Sequence, residues 1–283
     1  MNVRRYATAA EVLPDVRAFL EREEAVANLA LGVLGRLAKQ PAPTDEGKRP
    51  FFALVTDEGQ PVLLMMRTPP HNVILHARAP EAGDGPLLEA AYQAGIAFLQ
   101  REHLVVPGVI GPRDVVTGFA DAWRASTGEA WQIQMEQMIY RLDRVNEAPL
   151  SPGALIQARE EHLELLTGWL LDFAEATPEG IEPQEARTRT EARIQEGCIY
   201  IWFDEQPVSM AFPARPTAHG ITVTGVYTPP EFRRRGYATS CVASLSRMLL
   251  EEGHRYCTLY TDLANPTSNS IYQKIGYRPI RAS

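Results

Sequence analysis

The feature that most constrains this chain is an order of segments met twice. In the first half the apolar run Phe51 to Val55 leads through Asp57-Glu58-Gly59-Gln60-Pro61 to a second run, Val62 to Met66. In the second half Ile199 to Phe203 leads through Asp204-Glu205-Gln206-Pro207 to Val208 to Phe212. Short apolar runs bounded by Asp, Gly and Pro read as strands joined by tight turns. A histidine and a third strand-like run follow in each half, His71 with Val73 to Leu75 and His219 with Ile221 to Val226. Next come Pro80-Glu81 and Pro230-Glu231, each ahead of a segment of helical period ending near His103 or His254, 23 and 24 residues past the respective prolines. A further strand-like run closes each set, Leu104 to Ile110 and Tyr256 to Leu263. Hairpin strands that then alternate with helices predict an α/β fold, a mixed twisted sheet flanked by helices, present in two copies. Between the copies, Asn146 to Gly153 holds two prolines and a glycine, the composition of a linker, so the expected domains are 1–148 and 149–283.

Length supports two domains, since 283 residues exceed what one hydrophobic core ordinarily organises. With 45% hydrophobic and 22% charged residues the chain has apolar surface enough for ordinary cores, which excludes disordered and collagen-like classes. Three cysteines, Cys198, Cys241 and Cys257, build no disulfide framework and no CxxC pair, so no metal site is expected and a reducing compartment fits. The start of the chain breaks into polar residues before any apolar core of a secretion signal develops, and nowhere do eighteen apolar residues run together. The expectation is a cytoplasmic protein with no membrane association. A net charge of −7 disfavours nucleic acid as a partner, although Arg233, Arg234 and Arg235 form a local basic cluster.

The copies diverge at the turn into the long helix. The second reads Val226-Tyr-Thr-Pro-Pro-Glu-Phe-Arg-Arg-Arg-Gly-Tyr-Ala238, followed by Ala238, Cys241, Val242, Leu245, Met248 and Leu249 at the spacing of a buried helical stripe, with Gly253 as its stop. A helix start leaves backbone N–H groups without partners and carries the positive end of the peptide dipoles. Gly236 lets a ligand approach the backbone, Ala238 keeps the first turn thin, and three arginines add charge, a set that suits a pyrophosphate. The first half has Ala79-Pro-Glu-Ala-Gly-Asp-Gly-Pro86 at the matching place, with no arginine and with Asp84 where a phosphate would be repelled. Neither GxGxxG nor GxxxxGK[ST] occurs in the loop, which argues against NAD and P-loop chemistry.

The loop Arg233-Arg-Arg-Gly236-Tyr-Ala238 resembles the pyrophosphate loop of the GNAT N-acetyltransferases, Arg or Gln, two residues, Gly, one residue, Gly or Ala. The stretch Asp262-Leu-Ala-Asn265-Pro-Thr-Ser-Asn269-Ser-Ile-Tyr272-Gln-Lys-Ile-Gly276-Tyr-Arg-Pro279 resembles that family's second motif, an asparagine after a strand, a short helix carrying a tyrosine, then glycine and an aromatic. Local chemistry alone explains part of it: Asn265 is a good N-cap, Pro266 fits the first helical position, and Gly276 ends the helix. Spacing alone would set Tyr272 with Ile271 and Ile275 in a core stripe.

The resemblance implies two GNAT-like domains, the first a degenerate copy and the second an acetyltransferase that uses acetyl-CoA as donor and passes the acetyl group directly to a primary amine. It implies that Tyr272 is the general acid, that Val226, Tyr227 and Thr228 pair with the pantetheine amides, and that Arg233, Arg234, Arg235, Gly236, Tyr237, Ala238 and Thr239 hold the pyrophosphate. Asn265 and Asn269 would bond the pantetheine arm or fix the helix. The acceptor pocket is expected at Trp169, Phe173 and Glu175, with Glu175 as the catalytic base and Glu179 and Glu182 as further acidic candidates. The acceptor is expected to be a small molecule or peptide, and the protein a monomer or homodimer. The alternative is a silent CoA-binding or structural protein of the same fold.

Overall fold

The computed structural model describes residues 1–41, 43–78, 85–147, 149–175 and 180–283. Pro80, Glu81, Asp84 and Glu179 lie outside the described residues. The first set of elements is β1 (Asn2–Tyr6), α1 (Ala9–Glu21), α2 (Asn28–Leu37), β2 (Phe51–Asp57), β3 (Gln60–Arg67), β4 (Val73–Ala77), α3 (Gly85–Arg101), β5 (Val109–Ile110), α4 (Arg113–Thr127) and β6 (Gln137–Leu142). The second is β7 (Ala154–Gln157), α5 (Leu163–Glu175), α6 (Pro183–Gln195), β8 (Tyr200–Asp204), β9 (Gln206–Ala214), β10 (Gly220–Tyr227), α7 (Tyr237–Glu251), β11 (Tyr256–Asp262), α8 (Pro266–Ile275) and β12 (Arg278–Ala282). Among the described residues the two sets match element for element: strand, two helices, three strands, helix, strand, helix, strand.

The expected hairpins form because their turns take left-handed backbone. Glu58 and Gly59 carry φ of 48° and 79° between β2 and β3, and Glu205 carries 58° between β8 and β9. The first sheet has the order β1-β2-β3-β4-β5, antiparallel except for β4 with β5, which are parallel. The second has the order β12-β6-β11-β10-β9-β8-β7; β10 and β11 pair parallel, while β6–β11, β10–β9, β9–β8 and β8–β7 are antiparallel. The run Leu104 to Ile110 shrinks to the two residues of β5, because it contains Pro107, which has no amide to give, and Gly108.

Two compact units result, residues 1–133 with 281–283, and residues 134–280. The two sets of elements meet between β6 and β7, whereas the compact units divide one strand earlier. The reason is β6: it follows the first set in sequence but lies in the second sheet, antiparallel to β11 from Gln137↔Asp262 to Leu142↔Cys257.

Both sheets are buried on both faces, which is why their central strands read as unbroken apolar runs. In the first unit Phe51, Ala53 and Val55 pack with Ile96 and Phe119, while Phe52 and Leu54 pack with Val16, Leu20 and Leu34. In the second, Trp202, Val223 and Leu259 pack with Cys241 and Leu245 of α7 and Tyr272 of α8; Ile201, Met210 and Phe212 pack with Leu166, Trp169 and Ala186 of α5 and α6. Cys241 and Cys257 are buried hydrophobes whose thiols burial pushes up to about 12. Among the described residues no helix is long and apolar enough to cross a membrane.

Candidate functional site

The second sheet is split. β10 and β11 pair only from Gly220↔Tyr256 to Thr222↔Thr258. Beyond that rung β10 stays with β9 as far as Tyr227↔Met210, and β11 stays with β6 as far as Asp262↔Gln137. Each strand keeps its outer partner and the two part company. The edge of β10 from Val223 onward therefore offers backbone groups with no ladder partner on that side, a template for an extended, amide-bearing ligand.

A bulge between Thr224 and Tyr227 redirects the strand at this point. Its pivot is Gly225, with φ of 61°, where a Cβ would stand 1.8 Å from Cε1 of Phe212. The end of the strand is fixed by buried Ser209, whose Oγ donates to the Tyr227 carbonyl at 3.0 Å and lies 2.9 Å from Thr228 Oγ1. Pro229 and Pro230 then withdraw their donors.

The chain next turns through Pro230–Phe232 and enters α7 with Gly236 as N-cap. Arg234 and Gly236 have φ of 62° and 81°, so the loop coils tightly. Among the described residues the amides of Arg234 through Thr239 make no hydrogen bond; the first amide of α7 that does is that of Ser240, to the Gly236 carbonyl at 3.0 Å. Ser151 braces the loop from outside. Its Oγ donates to the Arg235 carbonyl at 2.8 Å and its amide to Ser240 Oγ at 2.8 Å, and a Cβ on Gly236 would come within 2.6 Å of the Ser151 Oγ. Arg233, Arg234 and Arg235 are exposed around these unpaired amides. The split strand and the free helix start lie end to end on one stretch of chain, an arrangement suited to a ligand with amide and diphosphate parts.

The model of the FR47-like protein family matches residues 215–283, the stretch that holds β10, the loop, α7 and α8. Solved structures match over the whole chain. One is an acetyltransferase from the GNAT family of Colwellia psychrerythraea, 12% identical, TM-score 0.57, covering 100% of this chain and 98% of its own. Another is a GCN5-related N-acetyltransferase from Sphaerobacter thermophilus, 14% identical, TM-score 0.62, covering 99% and 93%. A third is a tandem GNAT protein from the clavulanic acid biosynthesis pathway, 13% identical, TM-score 0.55, covering 99% and 96%. The chain has the fold of these GNAT acetyltransferase structures. No curated protein matches its sequence.

Within this GNAT fold the expected site residues fall in three places. Val226, Tyr227 and Thr228 lie on and just past the split portion of β10. Of the loop residues, Arg233 turns its Nε back to the Thr228 carbonyl at 3.0 Å, Arg235 lies 5.9 Å over the Phe232 ring, and Arg234 is exposed. Tyr237 faces inward: its hydroxyl donates to Asp204 Oδ2 at 2.6 Å, so only its backbone is available to a ligand, while Ala238 and Thr239 are half-buried. Asn265 caps α8, accepting from the Ser268 amide at 3.0 Å. Asn269 donates to the carbonyls of Asp262 and Asn265 at 3.1 and 2.8 Å and accepts from the Tyr140 hydroxyl at 3.1 Å. Both asparagine side chains are thus engaged in fixing the helix.

Tyr272 is buried among core residues, edge-on to Tyr277 with ring centroids 6.1 Å apart. Its hydroxyl makes no hydrogen bond among the described residues. Burial, with a smaller contribution from Cys241, holds its pKa well above the ordinary phenol value, so the side chain stays protonated.

On α5, Trp169 is buried with its ring 6.1 Å from that of Tyr227, Phe173 is half-buried, and Glu175 is exposed at the last residue. Glu182 stands at the N-cap of α6 without a side-chain cap bond. Asp172 is the acidic residue that touches the split strand: Tyr227 donates its hydroxyl proton to Asp172 Oδ2 at 2.7 Å, and burial with this bond raises the phenol to about 12. Sequence reasoning missed Asp172, Ser151 and Gly225. Only the last had a signal, a lone glycine inside an apolar strand.

Proposed function

We propose that the second unit transfers an acetyl group from acetyl-CoA directly to a primary amine, and that the first unit is a copy without a working phosphate loop. The observation that carries this reading is the junction of a split parallel strand pair with an arginine-ringed helix start whose first amides are free. The edge of β10 would take the pantetheine amides as a further strand would, through Val226, Tyr227 and Thr228. The amides of Arg234 to Thr239 and the guanidinium groups of Arg233 to Arg235 would hold the pyrophosphate.

Acetyl-CoA supplies an acyl carbon activated as a thioester. Attack by the amine nitrogen forms a C–N bond, the C–S bond breaks, and the thiolate takes the proton of Tyr272, a phenol that burial keeps neutral. The proton lost by the amine passes to Glu175 at the open end of α5. A covalent acyl-cysteine route is not part of this reading, because burial holds the thiols of Cys241 and Cys257 protonated and Cys198 is likewise raised by burial and Glu196.

Calorimetric titration with acetyl-CoA tests the carrying observation. Arg235→Glu is expected to weaken binding by at least about tenfold, more at low salt than at high, because the reversed charge stands beside the diphosphate. Equal affinity of the two proteins would remove the loop from the coenzyme site. Thiol release over a panel of amines then separates an enzyme from a silent coenzyme-binding protein, which would bind but release nothing.

Tyr272→Phe is expected to lower kcat by about a hundredfold with acetyl-CoA affinity nearly unchanged, the magnitude of a lost general acid. Because the raised pKa keeps the acid form on to higher pH, the wild-type enzyme should show no loss of this group across the neutral and mildly alkaline range. Unchanged turnover in the variant would take Tyr272 out of the chemistry and leave it as core.

A further inference from the structure

Arg215, the first residue of the FR47-like stretch, is half-buried and makes no ion pair with an acidic side chain among the described residues. It leaves β9 directly after Ala214, which pairs with Thr222, and Thr222 pairs in turn with Thr258 on the last rung before the sheet splits. Cys257 and Leu259 point to the α7 core, so Thr258 and Tyr260 face the other side. The Arg215 guanidinium crosses on that side and lies 5.5 Å from the centroid of the Tyr260 ring, two residues past the last rung. The Arg215 backbone therefore lies on the closed side of that rung, and its guanidinium reaches toward the split through Tyr260. Its backbone is held at φ of 49°, an unfavourable conformation for a residue with a Cβ.

Nε of Arg215 is sealed from solvent and makes no hydrogen bond among the described residues. Burial pulls the guanidinium below its ordinary pKa and only the Tyr260 side chain opposes this, with no acidic group contributing. The neighbouring cation on the same face, Arg193 over the Phe212 ring at 4.2 Å, by contrast has the Arg189 carbonyl and Glu196 nearby. A guanidinium whose Nε is sealed from water without a partner is costly to keep, and its planar fork matches a carboxylate geometrically.

Resting on the acetyl-transfer reading, we infer that Arg215 binds a carboxylate of the acceptor, so that the amine acetylated belongs to an amino acid or a similar amine bearing a free acid. The carboxylate would lie against Arg215 at the apex of the split, with the amine held on the α5 side of β10. Arg215 then sets acceptor specificity and takes no part in proton transfer.

The test offers the protein and acetyl-CoA each of the common amino acids beside its carboxamide and reads the released thiol. The wild type is expected to prefer the acid by at least about tenfold in kcat/KM, as for a hydrogen bond to a charged group. Arg215→Gln should abolish the preference and Arg215→Lys should keep part of it, with acetyl-CoA affinity unmoved in both. Carboxamides used as well as acids by the wild type, or a preference that survives in Arg215→Gln, overturns the inference. Titration of the wild-type protein with acetate, read at the Arg215 Nε–H resonance, needs no turnover and no variant. A saturable shift supports the carboxylate site, and its absence overturns it. A shift without thiol release from any amine would retain the site while removing the acetyl-transfer reading.

Discussion

A fragment that begins at Pro149 is expected to lose cooperative unfolding, whereas one that begins at Gln134 keeps it. The difference between them is β6. In the second sheet β6 lies between β11 and β12, and the residues from Gln137 to Leu142 pair along the whole length of β11. Ile139, Tyr140 and Leu142 are buried, the last two in the core beneath α7 and α8. Tyr140 also donates to Asn269, and past the strand the Asn146 amide donates to the Ile275 carbonyl at 2.8 Å. Loss of three buried apolar side chains removes about 6 kcal/mol of burial, before the ladder bonds are counted. That is comparable with the whole stability of an ordinary domain, about 5–15 kcal/mol. Thermal melts followed by circular dichroism decide the matter: a single sharp transition in the shorter fragment, at the temperature of the longer one, would show that β6 is dispensable.

That strand also marks the boundary of what the sequence reveals. The repeated order was legible because it rests on local signals: apolar runs of strand length, Asp-Glu-Gly and Asp-Glu-Gln turns, and the stripe from Ala238 to Leu249. The helix start at Gly236 was legible for the same reason, since glycine after a proline-terminated strand is a local backbone requirement. Where a strand goes once formed is not local. Met138, Tyr140 and Leu142 alternate equally well for either sheet, and only the unfilled place beside β11 selects one. Asp172 was hidden because a carboxylate on a helix is most often solvated, and its contact with Tyr227 spans 55 residues. Ser151 carries only a linker signal in the sequence, yet its hydroxyl and amide brace the loop that carries the proposed phosphate site. Tyr272 kept two readings from sequence, core residue and acid. Its burial is now a finding, and its proposed role as acid uses that burial, which keeps the phenol protonated.

Gly225→Ala is expected to lower the melting temperature by about 10 °C, and Gly225→Val by more. Two separate penalties act at this position. The backbone is left-handed, with φ of 61°, a conformation that carries about 1–3 kcal/mol of strain for a residue with a side chain. In addition, the new Cβ would meet three atoms of the Phe212 ring, at 1.8, 2.3 and 2.6 Å. Phe212 is itself buried in the core under α5 and α6, so the ring has no free direction in which to retreat, and overpacking of this kind costs a further ~1–3 kcal/mol. The two penalties are separable. Phe212→Leu in the Gly225→Ala background should relieve the ring contact and recover part of the loss, leaving the backbone strain, so the pair is expected to couple favourably in a double-mutant cycle. Acetyl-CoA affinity should fall together with stability in Gly225→Ala, because straightening the bulge moves the free edge of β10 relative to the loop at Gly236. A variant that melts within about a degree of the wild type would mean that the bulge can be remodelled without effect, and that the split in the sheet does not depend on it.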